Sequence, residues 1–218
     1  MKEYSYLLFD LDGTLTDPAV GITNSVAFAL ARFGIQNKDR KQLYPYIGPP
    51  LVNAFMEFAG LSHEDAQKAL GYYREYFAPK GIFENKPYEG IIETLRTLKK
   101  AGKRLLVATS KPEPYARRIV EHFGMADYFE FVAGASMDEV RVKKEDVIRY
   151  AFDSCGITDA SSALMIGDRR HDMEGAAKNG IDSMGVLYGY GSREELEGAG
   201  ATYLAATPAE IAKLVLSK

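Results

Sequence analysis

Asp10 and Asp12 stand two residues apart, where the apolar run Leu7-Leu8-Phe9 ends and Gly13 lets the chain turn. A buried strand that ends on two acids costs free energy unless something offsets their charge. A divalent cation is the simplest offset, because hard cations take oxygen ligands from carboxylates and carbonyls. Two more apolar runs end on polar groups: one on Thr109-Ser110, the other on Asp168. Lys144 directly precedes the stretch EDVIRYAF, with Lys143 beside it. Asp10 and Asp168 could hold Mg²⁺, with the backbone carbonyl of Asp12 as a further ligand. A carboxylate can also serve as a nucleophile and form an aspartyl-phosphate. An acid two residues along could protonate a leaving oxygen and later deprotonate water. Thr109 or Ser110 offers a hydroxyl and nearby N–H groups to a phosphoryl oxygen, and a lysine would neutralise charge between nucleophile and phosphate. Phosphoryl transfer needs mostly positioning and charge compensation, and this set supplies both.

Each feature also has a plainer reading. An isolated DxDG is equally a turn with an acid as its cap. Thr109-Ser110 could cap the helix after Pro112. A single lysine is by default a solvated charge, and Asp172 with Glu174 would suit any first helical turn. His171 reads as a histidine at or near the surface. Arg169 and Arg170 suit neighbouring acids or a substrate equally well. Tyr188-Gly189-Tyr190-Gly191 reads as a loop by the site, with no chemistry assigned to it.

The elements that must position these residues alternate. The first strand leads to Asp17-Pro18, an N-cap acid with Pro at the first helical position, opening a helix that stops at Gly34. Pro45, Gly48, Pro49 and Pro50 then break the pattern. LVNAFMEFAG and SHEDAQKALGYYREYFAPKG follow as helices, the second capped by Ser62. No strand is expected from Pro18 to Lys80, so this segment reads as a helical insertion. From Tyr88 onward, helices alternate with short apolar strands, the pattern of a parallel sheet covered on both faces. In such α/β sheets, sites form at the carboxyl ends of strands, which is where Asp10, Thr109 and Asp168 lie.

Bulk properties narrow the function classes. The 218 residues suit one generous domain or a core plus a smaller insertion. With 27 basic against 30 acidic residues and a net charge of −3, no electrostatic footprint for a nucleic acid polymer appears. No apolar run approaches the roughly 18 residues a membrane span needs, so no membrane partner is expected. The N-terminus lacks a signal-peptide layout. Cys155 is the single cysteine, so no internal disulfide or thiolate cluster forms, and a reducing cytoplasm is expected. Cys155 reads as packing, not as a nucleophile. A monomer or a weak homodimer is the expected state.

DLDGTLTD at 10–17, ATSK at 108–111, a lysine near 144 and GDRRHD at 167–172 resemble the four motifs of the haloacid dehalogenase-like hydrolases. They occur in the family's order and span the core. The resemblance implies a three-layer, Rossmann-like parallel core built from residues 1–15 and 84–218. It further implies an all-helical cap over 16–83, similar to that of the phosphoglycolate phosphatase-like branch. Carried over position by position, it makes Asp10 the nucleophile and a metal ligand. Asp12 becomes the general acid/base, with its carbonyl on the metal. Gly13, Thr109 and Ser110 would meet the phosphoryl group. Lys144 is the third-motif lysine, with Lys143 as its competitor because the family's common Lys-Pro pair is absent. Asp168 would complete the Mg²⁺ shell, and Asp172 would steady the metal waters or the lysine.

Dehalogenases and phosphonate-cleaving members lack an acid at the place of Asp12, so its presence implies phosphate ester chemistry. The expected partner is a small-molecule phosphate ester. Gly48 and Pro49, in IGPPL, are candidates to meet it from the cap. Arg32, Lys38, Arg40 and Lys41 are available for a carboxylate such as phosphoglycolate. GYGSREELEGAGA also resembles family members described as 5′-nucleotidases, so phosphoglycolate and nucleoside 5′-monophosphates both stay open. A sugar phosphomutase and a non-catalytic binding module on the same fold are the alternatives.

Overall fold

The computed structural model describes residues 2–36, 39–138 and 140–217. The chain divides into two compact units, Met1–Asp17 with Pro87–Lys218, and Pro18–Lys86.

In the first unit, β1 (Tyr6–Phe9) is followed at the unit boundary by the two-residue strands β2 (Thr16–Asp17) and β3 (Lys86–Pro87). Beyond them come β4 (Arg104–Pro112), β5 (Phe131–Ala135), β6 (Ala163–Gly167), β7 (Asp182–Val186) and β8 (Tyr203–Ala205). Six of these strands form one sheet in the order β5-β4-β1-β6-β7-β8, every pair parallel. Leu7, Leu8 and Phe9 are all fully buried, which a strand achieves only with cover on both faces. The α/β reading of the alternating pattern is therefore borne out. Burying one such side chain is worth about 1.5–3 kcal/mol, and β1 presents three in succession to hold its carboxyl end in place.

The helices of this unit are α4 (Ile91–Lys100), α5 (Glu113–His122), α6 (Lys144–Cys155), α7 (Arg170–Lys178), α8 (Arg193–Gly198) and α9 (Pro208–Leu216). Val147, Ile148 and Ala151 of α6 and Ala176 of α7 share a core cluster with Leu8, Leu106, Ala108, Ala133 and Met165 of the sheet. That packing seats the N-termini of α6 and α7 beside the strand ends. The chain leaves β1 toward β4 and β5 on one side and returns through β6, β7 and β8 on the other. The carboxyl end of β1 is thus the switch point of the sheet, the place where such folds open a crevice.

The second unit holds α1 (Ala19–Ala31), α2 (Leu51–Ala59) and α3 (His63–Phe77), with short 3₁₀ turns at Arg40–Tyr46 and Gly81–Phe83. The Ser62 hydroxyl accepts from the Asp65 N–H at 3.1 Å, capping α3 as its sequence predicts. Two local expectations fail. Asp17 does not cap α1: Pro18 holds that position without a side-chain bond, and Asp17 Oδ1 instead accepts from the Tyr190 hydroxyl at 2.5 Å. The helix also ends at Ala31, not at Gly34. The proline-rich break is not structureless, since Asp39 accepts from the Lys41 N–H at 2.9 Å and starts a 3₁₀ turn that contains Pro45. Among the described residues no helix is long and apolar enough to cross a membrane.

Candidate active site

Asp10 follows the last residue of β1, and its N–H donates to the Ile166 carbonyl at 2.8 Å, tying the β1 end to β6. The turn after it is tight. The N–H groups of Leu15 and Thr16 both donate to the Leu11 carbonyl, at 2.9 and 3.0 Å, and the Gly13 N–H donates to the Thr16 carbonyl at 2.8 Å. Gly13 has φ +86°, and a Cβ built there would lie 2.1 Å from Asp168 Oδ2. The glycine therefore supplies close approach to Asp168. Its N–H is committed within the turn, so Gly13 offers no donor to a phosphoryl group.

Lys144, the first residue of α6, is buried, whereas Lys143 is exposed. Lys144 Nζ lies 2.8 Å from Asp10 Oδ1 and 2.7 Å from Asp172 Oδ1, and donates to the Ala108 carbonyl of β4 at 2.9 Å. Both contacts are close ion pairs, and Lys144 is the group that meets these two buried carboxylate oxygens. Burial works against the ammonium charge of Lys144, but Asp10 and Asp172 beside it outweigh burial and raise its pKa. Asp172 also accepts from the Arg169 N–H at 3.0 Å, and burial pushes its carboxyl up to about 6.

Asp168 is fully buried one residue past β6. Its Oδ2 accepts from the Tyr190 N–H at 2.8 Å, and its Oδ1 meets the Thr14 hydroxyl at the long distance of 3.5 Å. A Cβ at Gly189 would fall 2.3 Å from Asp168 Cβ, so the Tyr188–Gly191 loop wraps this acid closely. The Tyr188 hydroxyl pins the same region by donating to the Thr14 carbonyl at 2.9 Å. Burial, with Asp172 and Asp10 nearby, pushes the Asp168 carboxyl well above the usual range.

Asp12 is held differently. Its Oδ2 is paired with Lys111, while Oδ1 has no hydrogen-bond partner among the described residues. Burial raises its pKa against the pull of Lys111. Strand β4 runs through Thr109 and Ser110 to Pro112, and Pro112 caps α5 without a side-chain bond. Thr109 and Ser110 therefore do not cap that helix. Thr109 Oγ1 accepts instead from the Lys111 N–H at 3.3 Å, and Ser110 is half-buried.

One carboxylate oxygen from each of Asp10, Asp168 and Asp172 lies within 4.8 Å of the other two. The Asp12 carboxylate is not part of this group, and its Oδ2 is paired with Lys111. Four carboxylates (Asp10, Asp12, Asp168, Asp172) against two ammonium groups (Lys111, Lys144) leave a formal charge of −2 in a largely buried site. Raised carboxyl pKa values and the excess negative charge fit a divalent cation held by oxygen ligands.

Other residues singled out in the sequence lie elsewhere. His171 sits on α7, 3.9 Å from Glu174, and burial lowers its pKa. Arg169 pairs with Glu195 at 2.9 Å. Cys155 is a free, partly buried thiol. Gly48, at φ +106°, and Pro49 join the 3₁₀ turn to α2 within the helical unit. In that unit Arg32 lies 4.9 Å over Phe28 and 5.4 Å over Tyr72, and Arg40 donates to Asn24 at 3.3 Å. Lys41 is exposed, and Lys38 lies outside the described residues. Sequence reasoning gave no chemistry to two site residues: Lys111, visible only as the last letter of ATSK, and Tyr190, named only as part of a glycine-flanked loop.

The family model described as haloacid dehalogenase-like hydrolase matches residues 7–186, from β1 to the end of β7. A 5′-nucleotidase of Pseudomonas aeruginosa is 45% identical over 214 residues, covering 98% of this chain and 96% of that protein. A tyrosine-protein kinase, PtkA, of Mycobacterium tuberculosis is 40% identical over 196 residues, covering 90% of this chain and 66% of the kinase. The crystal structure of a predicted phosphatase from Clostridium acetobutylicum superposes with a TM-score of 0.95 at 50% identity, covering 99% of each chain. With the acids of β1 and β6 inside a family match that spans most of the sheet, the chain belongs to the haloacid dehalogenase-like hydrolases.

Proposed function

We propose that the protein is a Mg²⁺-dependent phosphatase that hydrolyses a small phosphomonoester through an aspartyl-phosphate on Asp10. The observation that carries this reading is the convergence of Asp10, Asp168, Asp172 and Lys144 at the switch point of the sheet, with Asp12 two residues along the same strand end.

Asp10 attacks phosphorus and the ester P–O bond breaks, with Asp12 giving its proton to the departing oxygen. Water then loses a proton to Asp12 and attacks phosphorus, releasing phosphate and restoring the Asp10 carboxylate. Lys144 compensates charge beside the nucleophile, and the Thr109 hydroxyl, with the Ser110 backbone, is suited to a phosphoryl oxygen. Asp10 and Asp168, with Asp172 beside them, are the groups that would hold Mg²⁺. When bound, the ion supplies charge compensation for the phosphate. Asp172 fixes Lys144 between itself and the nucleophile.

For substrate we favour a nucleoside 5′-monophosphate over phosphoglycolate, because the 5′-nucleotidase relative matches nearly the full length of both chains. Residues 18–86, with Gly48 and Pro49, would then act as the specificity element, and residues 1–17 and 87–218 as the catalytic core. A cytoplasmic setting belongs to the same reading. The kinase relative motivates a second outcome, passage of the same phosphoryl group to a tyrosine hydroxyl instead of water. A panel of nucleoside monophosphates, phosphoglycolate, sugar phosphates and a tyrosine peptide, assayed with Mg²⁺ and with chelator, tests both. Phosphate release confined to Mg²⁺ and lost in Asp10→Asn is expected. Turnover retained in Asp10→Asn refutes the covalent route, and interconversion of a sugar phosphate faster than phosphate release would make the protein a mutase.

A further inference from the structure

Among the described residues two lysines are buried, Lys144 and Lys111. The aspartyl-phosphate reading gives Lys144 a task and leaves Lys111 without one. Burying an ammonium costs several kcal/mol of hydration, which a single ion pair repays only with good geometry. Lys111 is placed with care all the same. The pairing of β4 with β5 is regular from Leu106 to Ala108 and then shifts register before Pro112. Inside that irregularity the Thr109 hydroxyl accepts from the Lys111 N–H at 3.3 Å, and Pro112 restricts Lys111 to extended backbone. The side chain turns inward to 6% exposure and meets Asp12, itself 13% exposed, at Oδ2. The other oxygen, Oδ1, has no hydrogen-bond partner among the described residues.

We propose that Lys111 is the positioning residue for proton delivery: it grips Asp12 through Oδ2 and so leaves Oδ1 as the oxygen that exchanges the proton. In the first step the Oδ1–H bond breaks, and the proton joins the ester oxygen as that oxygen leaves phosphorus with its electron pair. Asp12 is then a carboxylate whose charge Lys111 meets. In the second step Oδ1 takes a proton from water while the water oxygen bonds to phosphorus and the Asp10–phosphorus bond breaks. The sum is ester plus water to alcohol plus phosphate. This rests on Asp12 as the general acid/base, so the test must separate the two claims.

The experiment compares kcat/KM for p-nitrophenyl phosphate, whose leaving group departs without a proton, with that for an alkyl ester, the nucleoside monophosphate or alkyl phosphate that the wild type hydrolyses fastest. Because kcat/KM reports events up to the first irreversible step, it isolates leaving-group departure from hydrolysis of the aspartyl-phosphate. Loss of general acid catalysis is worth roughly 10²–10⁴-fold, so Asp12→Asn and Lys111→Met should each lose a factor of that order on the alkyl ester and only a few-fold on the aryl ester. Lys111→Arg should recover part of the alkyl activity. If Asp12→Asn discriminates between the esters and Lys111→Met lowers both alike, the proposal for Lys111 is overturned while Asp12 keeps its role. If Asp12→Asn itself does not discriminate, the reading of Asp12 fails. Should Lys111→Met not fold, the alkyl-to-aryl ratio of Lys111→Arg and Lys111→Gln decides: a ratio below wild type, lower in Gln than in Arg, supports the proposal, and an unchanged ratio overturns it.

Discussion

Replacing Lys144 with Met keeps the bulk of a side chain that is 3% exposed and removes the charge held between Asp10 at 2.8 Å and Asp172 at 2.7 Å. The formal charge of the site falls from −2 to −3. Breaking a buried ion pair by deleting one partner costs about 3–5 kcal/mol. At roughly 2–4 °C per kcal/mol for a chain of this size, the chelated protein should lose about 6–20 °C in Tm at pH 7.5. The loss must depend on pH. With Lys144 present, the Asp172 carboxyl is already raised from 3.8 to about 6, so it resists ionisation in the folded state. Without Lys144, whose charge pulls the Asp172 pKa down, Asp172 keeps its proton to still higher pH. Below the unfolded pKa both states are protonated and no penalty arises. Above it, each carboxyl held neutral costs about 1.36 kcal/mol per pH unit. Wild type bears the same penalty up to about pH 6, so between pH 5 and pH 7 the gap between wild type and variant should widen by roughly 1.4 kcal/mol for Asp172. Thermal melts by circular dichroism in chelator at pH 5 and pH 7.5 measure this directly. A loss of equal size at both pH values, or none at pH 7.5, would refute the assignment of Lys144 as the counter-charge of these acids.

The same raised carboxyls make cation binding a proton-releasing event. Asp168 and Asp172 hold protons above the ordinary aspartate range, so Mg²⁺ added at pH 6 should displace them. Its affinity should then rise with pH and level off above the raised values. Calorimetric titration in two buffers of different ionisation enthalpy reads the release, and identical heats in both would contradict it. Gly13→Ala forces a Cβ to within 2.1 Å of Asp168 Oδ2 at φ +86°. Mg²⁺ binding should weaken by roughly 10- to 100-fold, the scale seen when groups that orient a ligand are disturbed, and unchanged affinity would show that Asp168 is not so constrained. Tyr190→Phe removes the 2.5 Å bond to Asp17 but keeps the backbone N–H on Asp168. It should cost about 1–2 kcal/mol of stability in denaturant titration and leave Mg²⁺ affinity within two-fold; a large drop in affinity would mean that the phenol, not the backbone, steadies Asp168.

Much of the arrangement was legible because it follows from local rules. Leu7 to Phe9 read as a strand buried on both faces, and the acids that follow it read as a charge in need of compensation. Lys143 and Lys144 could not be separated in sequence, since their placement depends on one residue of helix phase at the start of α6. Lys111 was invisible for a different reason. Its inward turn follows from the register shift in β4, a tertiary feature that the letters ATSK do not announce. Asp17 misled because an acid before proline suits an N-cap, yet a tyrosine distant in sequence competed for its carboxylate and won. The alternation of Gly189, Tyr190 and Gly191 held a usable signal: two glycines around one aromatic residue mark backbone that must approach something closely, and that something is Asp168.

The central claim is a phosphoryl group carried covalently on Asp10. Rapid acid quench of the wild type during turnover of a ³²P-labelled ester with Mg²⁺, followed by hydroxylamine lability and peptide mapping, measures it. The account predicts a hydroxylamine-labile label on Asp10 that forms and decays fast enough to support turnover, and no label in Asp10→Asn. Turnover without a labelled protein, or a label that maps to Thr109 or any other residue, would contradict it.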